Sequence, residues 1–185
     1  GSVAASGGYY VSCGADYIMA NPGTTTGSIG VIIEMMNFEG TADLIGIEGV
    51  VVKSGDLKDV GNPFRAMTDK ERRFLQEYVD SLQEQFLAVV MEGRGLSRED
   101  VELISDGRIL TGAQALELGL VDELGNLEDA IKKSAELVGI EGEPHVIYPP
   151  KEKITVLDLM LQESTRELKN MMVLGTFRAE YRLAP

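Results

Sequence analysis

Apolar residues in this chain fall in short clusters broken by glycine, apart from one long run at helical spacing. Ala4 to Gly14 reads as a short helix whose first turn carries Ser6, and its small residues suit close packing. Tyr17-Ile18-Met19-Ala20 is a short buried strand stopped by the turn signal Asn21-Pro22-Gly23. Thr24 to Gly30 reads as a polar glycine loop, Val31-Ile32-Ile33 as a strand, and Asn37 to Leu44 as a short helix closed by Gly46. A β-branched strand from Gly49 to Lys53 runs into the polar loop Ser54 to Pro63. Phe74, Leu75, Tyr78, Val79, Leu82, Phe86, Val89 and Val90 then recur at helical spacing. Thr68 is a good N-cap for that helix, Glu71 stands at the capping-box position, and Gly93 and Gly95 end it. The apolar stripe reads as core-facing or subunit-facing.

Further helices follow over Ser97 to Ile104, Thr111 to Leu118 and Asn126 to Val138, the last two closed by Gly119 and Gly139. His145 to Tyr148 reads as a strand stopped by Pro149-Pro150, and Thr155 to Met172 as another helix. The tail from Gly175 to Pro185 has no strong periodicity. Strands alternating with helices predict an α/β fold with mostly parallel strands and flanking helices.

Composition narrows the function classes. A chain of 185 residues can bury a substantial core as one domain. A net charge of -13 argues against a nucleic-acid surface and against charge-driven binding to anionic lipid. No stretch approaches the ~18 apolar residues that span a bilayer. Cys13, the only cysteine, excludes an internal disulfide and reads as a small buried hydrophobe. Asp16, Asp43, Asp56 and Asp59 are scattered without metal-ligand spacing, so neither a metal nor another cofactor is expected. The chain opens directly on a glycine-rich motif, which predicts a fragment or processed C-terminal portion of a longer polypeptide.

That motif carries the candidate chemistry. Ser6, in Ala4-Ala5-Ser6-Gly7-Gly8-Tyr9-Tyr10, can expose its hydroxyl, and its small neighbours admit a substrate backbone. A serine nucleophile needs a base. The one histidine, His145, stands far along in a Pro-rich segment, so a lysine is the expected base. Such a lysine must be neutral at working pH. Lys53 and Lys58 both follow the apolar run Val50-Val51-Val52, and the residues alone do not choose between them.

The segment Gly1 to Tyr10 resembles the nucleophile segment of the signal peptide peptidase A family, also called protease IV. The likeness continues through Ala15 to Pro22, Thr26 to Val31, Lys53 to Asp59, Asp106-Gly107-Arg108, Gly112, Ala115, Leu118 to Asp122 and Gly125. It covers roughly residues 1 to 135, and several blocks in order are more specific than any single glycine motif. The resemblance implies a ClpP/crotonase-like fold. Residues 1–150 are then the C-terminal portion of a peptidase domain whose N-terminal part is absent, and 151–185 a C-terminal helix and tail.

The resemblance also implies roles. Ser6 matches the nucleophile, Lys58 the general base, and Ser28 a hydroxyl that orients the lysine. Gly7 is a backbone donor to the oxyanion. Lys53 becomes the second choice. The implied function is a serine endopeptidase that hydrolyses remnant signal peptides and other membrane-linked hydrophobic peptides through an acyl-enzyme. The implied setting is a homo-oligomeric ring at the cell membrane, anchored by a segment outside this chain, with active sites outside the cytoplasm. The alternatives are a crotonase-type acyl-CoA enzyme and a non-catalytic scaffold.

Overall fold

The computed structural model describes residues 1–148. The chain divides into two compact units, the first spanning Gly1–Ala130 and the second starting at Ile131. Every candidate site residue lies in the first.

Val3–Ala5 forms strand β1, which leads through Ser6 into helix α1, Gly7–Ser12. Strands β2 (Met19–Ala20) and β3 (Thr25–Gly27) follow, then helix α2 (Glu39–Ile45) and a single 3-10 turn over Asp56–Asp59. The long helix α3 (Asp69–Arg94) precedes α4 (Arg98–Glu102), β4 (Ile109–Thr111), α5 (Gly112–Glu117), β5 (Glu123–Leu124) and α6 (Leu127–Leu137). β3 is the centre of one sheet, parallel to β1 and antiparallel to β4, while β2 and β5 pair in parallel as a second. The fold is α/β.

Several expectations need correction. Ala4 and Ala5 leave the expected first helix and join Val3 in pairing with β3, so Ser6 stands between strand and helix. β3 lies inside the expected polar loop. Thr26 in the strand and Thr24 just ahead of it are buried with their hydroxyls satisfied: Thr26 Oγ1 donates to the Ala4 carbonyl at 2.7 Å and Thr24 Oγ1 to the Gly1 carbonyl at 2.7 Å. A hydroxyl paired in this way can enter a core at little cost. Val31 to Ile33 does not form a strand beyond an isolated bridge at Ile32. Gly49 to Lys53 forms none, because β propensity without a partner edge does not make a strand; Val52 is 98% exposed. His145 to Tyr148 is also irregular. β4 and β5 are short strands that the sequence pattern did not mark. The expected helix over Thr155 to Met172 and the segment 151–185 lie outside the described residues.

The core forms where α1 meets α3. Tyr9, Cys13, Phe86, Val90, Val101 and Leu120 are buried together. Tyr9 donates its hydroxyl to the Leu120 carbonyl at 2.8 Å, and the Tyr10 and Phe86 rings meet edge to face. The α3 stripe is only partly core-facing, since Phe74 and Tyr78 stay exposed while Leu75, Phe86, Leu87 and Val90 are buried. Gly93 does not end α3; it lies within the helix, where a Cβ would sit 2.3 Å from the Cys13 carbonyl oxygen. Gly95 is the cap, at φ 64°. The predicted capping box forms between Thr68 and Glu71.

Candidate active site

Ser6 joins β1 to α1 with φ 53° and ψ -120°, a region that a residue with a side chain rarely enters. Two backbone hydrogen bonds hold it there. Its N–H donates to the Gly27 carbonyl at 2.8 Å, and its own carbonyl accepts from the Tyr10 N–H at 2.9 Å. Ser6 is 1% exposed, yet its Oγ has no hydrogen-bond partner. The hydroxyl is thus buried where the sequence predicted an exposed one, but it is uncommitted, and a strained strand-to-helix turn is a geometry by which a fold holds a serine nucleophile.

Ser28 stands beside it. β1 and β3 run parallel with Ala5 opposite Gly27, so the next residues, Ser6 and Ser28, leave the carboxyl ends of adjacent strands together. Ser28 is buried and also has positive φ, 52°, with its N–H donated to the Arg108 carbonyl at 2.8 Å. Sites in α/β folds form at the carboxyl ends of parallel strands. Gly7 opens α1, where the first N–H groups have no acceptor within the helix. Ser6, Gly7 and Ser28 therefore cluster in one chain.

Lys58 does not join them. It lies on the 3-10 turn with an exposed side chain, and it makes no hydrogen bond to Ser6 Oγ. The acids around it are engaged elsewhere. Lys70 Nζ donates to Asp56 Oδ2 at 2.8 Å. Asp59 takes Lys53 Nζ on Oδ1 at 2.5 Å and Arg65 Nε on Oδ2 at 3.0 Å. Lys53 also donates to the Asp56 carbonyl at 3.2 Å. Hydrogen bonds from Arg65 and Lys53 hold the Asp59 carboxyl well below the usual carboxylate range, and Lys70 lowers Asp56.

Arg65 then reaches α3. It forms a bidentate pair with Glu71, with Nη1 to Oε2 at 2.9 Å and Nη2 to Oε1, and Nη2 also reaches the Asp59 carbonyl at 3.2 Å. Glu71 is 2% exposed, and the Thr68 N–H and hydroxyl complete its shell at 2.8 and 2.9 Å. The Arg65 guanidinium, aided by those Thr68 bonds, outweighs burial and brings the Glu71 carboxyl down to about 2. Sequence reasoning marked Glu71 only as a helix cap and missed Arg65; the cap position was the one available signal.

The remaining blocks are structural. Asp122 accepts two bonds from Arg94, at 3.0 and 2.7 Å, and the Ile18 N–H at 2.6 Å. Asp106-Gly107-Arg108 is a turn with an ion pair across it at 2.7 Å. His145 is exposed and Cys13 is buried. Among the described residues no group of His, Cys, Asp or Glu could hold a metal ion, and no helix is long and apolar enough to cross a membrane.

Residues 1–141 match the family model described as Peptidase family S49. The chain is 46% identical over 141 residues to a putative protease of Synechocystis, covering 76% of this chain and 51% of that protein. It is 45% identical over 130 residues to a putative signal peptide peptidase SppA of Enterococcus faecium, covering 70% and 38%. It is 33% identical over 172 residues to Protease 4 of Salmonella typhi, covering 93% and 27%. The chain thus spans about half of the first relative's length and less of the other two. With a family match over most of the chain, and a strained serine at the head of the matched region, the chain belongs to peptidase family S49, the signal peptide peptidase A family.

Proposed function

We propose that the whole protein is a serine endopeptidase with a Ser6–Lys58 dyad. The carrying observation is the Ser6 turn: a positive φ and a buried, unpartnered hydroxyl at the end of β1. Strain of this kind costs about 1–3 kcal/mol and clusters at sites where it serves a mechanism.

Neutral Lys58 takes the Ser6 proton as Oγ attacks a peptide carbonyl. The Gly7 N–H stabilises the oxyanion. The departing amine takes a proton from Lys58, leaving an ester on Ser6, and water then releases the acyl group. Ser28, next to Ser6 in the strand register, orients the lysine.

Lys58 is favoured over Lys53 because the Lys53 amine is already bonded to Asp59 and Asp56. The site is completed in an assembled form, by whichever copy's Lys58 the assembly brings to Ser6. Family membership supports a ClpP/crotonase-like domain working as a homo-oligomeric ring. The name of the Enterococcus relative supports signal peptides as substrates. We further propose a place at the cell membrane, with active sites outside the cytoplasm.

The test is hydrolysis of a fluorogenic hydrophobic peptide by the full-length protein. Ser6→Ala and Lys58→Ala should each lose activity with secondary structure intact, whereas Lys53→Ala should retain it. Activity in Lys58→Ala would remove the dyad.

A further inference from the structure

The neighbourhood of Lys58 has a feature that the dyad alone does not require. Its turn carries acids at both ends, Asp56 and Asp59, and each is tied to a cation other than Lys58. The tie at Asp59 is the stronger built. Arg65 grips its carboxylate and its carbonyl, and the same guanidinium is clamped in two places by the buried Glu71 at the head of α3. Glu71 is fixed in turn by the Thr68 cap. A bidentate arginine pair imposes geometry in a way that a single lysine contact does not.

We propose that Arg65, held by Glu71, is a positioning residue for Lys58, fixing the backbone of the next residue, Asp59, and keeping that carboxylate away from the Lys58 amine. The inference rests on Lys58 being the base. The charged groups around the turn are Asp56, Asp59, Lys53, Lys70, Arg65 and Glu71. Only the two aspartates carry negative charge on the turn itself. Removing Arg65 leaves Asp59 held by Lys53 alone, with Oδ2 and the backbone carbonyl released one residue from the base, and a freer carboxylate there favours the protonated amine. Lys70 is a weaker counterpart, because its bond to Asp56 is exposed and lies on the other side of the turn.

The experiment compares full-length wild type, Arg65→Ala, Arg65→Lys, Glu71→Gln and Lys58→Ala in peptide hydrolysis as a function of pH. Arg65→Ala should lower kcat roughly ten- to a hundredfold with little change in KM. Its pH–rate midpoint should move up by about 1 unit, because the base becomes harder to deprotonate. Glu71→Gln should move the midpoint the same way by less. Arg65→Lys should recover part of kcat, since a lysine can hold Asp59 but not both carboxylates in the bidentate geometry.

An unchanged pH midpoint in Arg65→Ala overturns the proposal, whether kcat is retained or falls together with the amount of folded enzyme. If Lys58→Ala is inactive in that case, the dyad stands and only the positioning role fails. If Lys58→Ala is active, the dyad fails and this inference fails with it.

Discussion

Ser6 is held at φ 53° with a buried hydroxyl that bonds to nothing, and folding alone gains nothing from either feature. An unmatched buried polar group costs about 1–3 kcal/mol. Ser6→Ala should therefore raise stability by about 1 kcal/mol in denaturant unfolding while abolishing hydrolysis, the trade expected of a functional site. A loss of stability would mean that the hydroxyl has a structural partner. The small residues around Ser6 were legible in the sequence as room for a substrate. The strain was not, because it arises from the pairing of β1 with a strand some twenty residues later. Ser28 shares the positive φ, and its place beside Ser6 follows from that pairing.

At the scale of elements, short-range chemistry was the most readable. The Thr68 and Glu71 capping box, the Thr111 cap and the closing glycines Gly46 and Gly119 lie where local rules put them. β3 was hidden because its buried residues are Thr26, whose hydroxyl bonds the Ala4 carbonyl, and Gly27, a pattern that reads as a polar loop. Gly93 was misread as a helix end because its purpose is the close approach of α1. Gly93→Ala should cost about 1–3 kcal/mol, since its Cβ would meet backbone rather than a flexible side chain. Gly95→Ala would strain only the cap. The Glu71 clamp also sets an acid response. Its carboxyl titrates near 2 in the folded chain and higher when unfolded, so its stabilisation is present above the unfolded value and is lost as pH falls toward 2. Melting temperature should drop over that window in wild type, and Glu71→Gln should show a shallower drop.

At the scale of the molecule, Ser6 and Lys58 make no hydrogen bond to each other within the single chain. The stretch between β3 and α3 is also unusual in its surface: Leu44, Val50 and Val52 are strongly exposed in a chain of net charge -13. Under the proposed assembly, exposed apolar groups here are the residues to test for association. The β-branched run Val50 to Val52 was read as a strand on local pattern, and it has no partner within the described residues. In an assembly it can bury its side chains against another copy. Val50→Asp combined with Val52→Asp should shift the full-length protein to smaller species in light scattering and lower hydrolysis, although Ser6 and Lys58 are untouched. Unchanged mass and unchanged activity would separate this surface from the active form.

The central claim is that Lys58 activates Ser6. It is tested most directly by the rate at which a fluorophosphonate probe labels the full-length protein across pH, with the modified residue identified by peptide mass. Wild type should be labelled at Ser6, faster as pH rises, and Lys58→Ala should be slower by about a hundredfold or more. Labelling of Lys58→Ala at the wild-type rate, or labelling at a residue other than Ser6, would contradict the account.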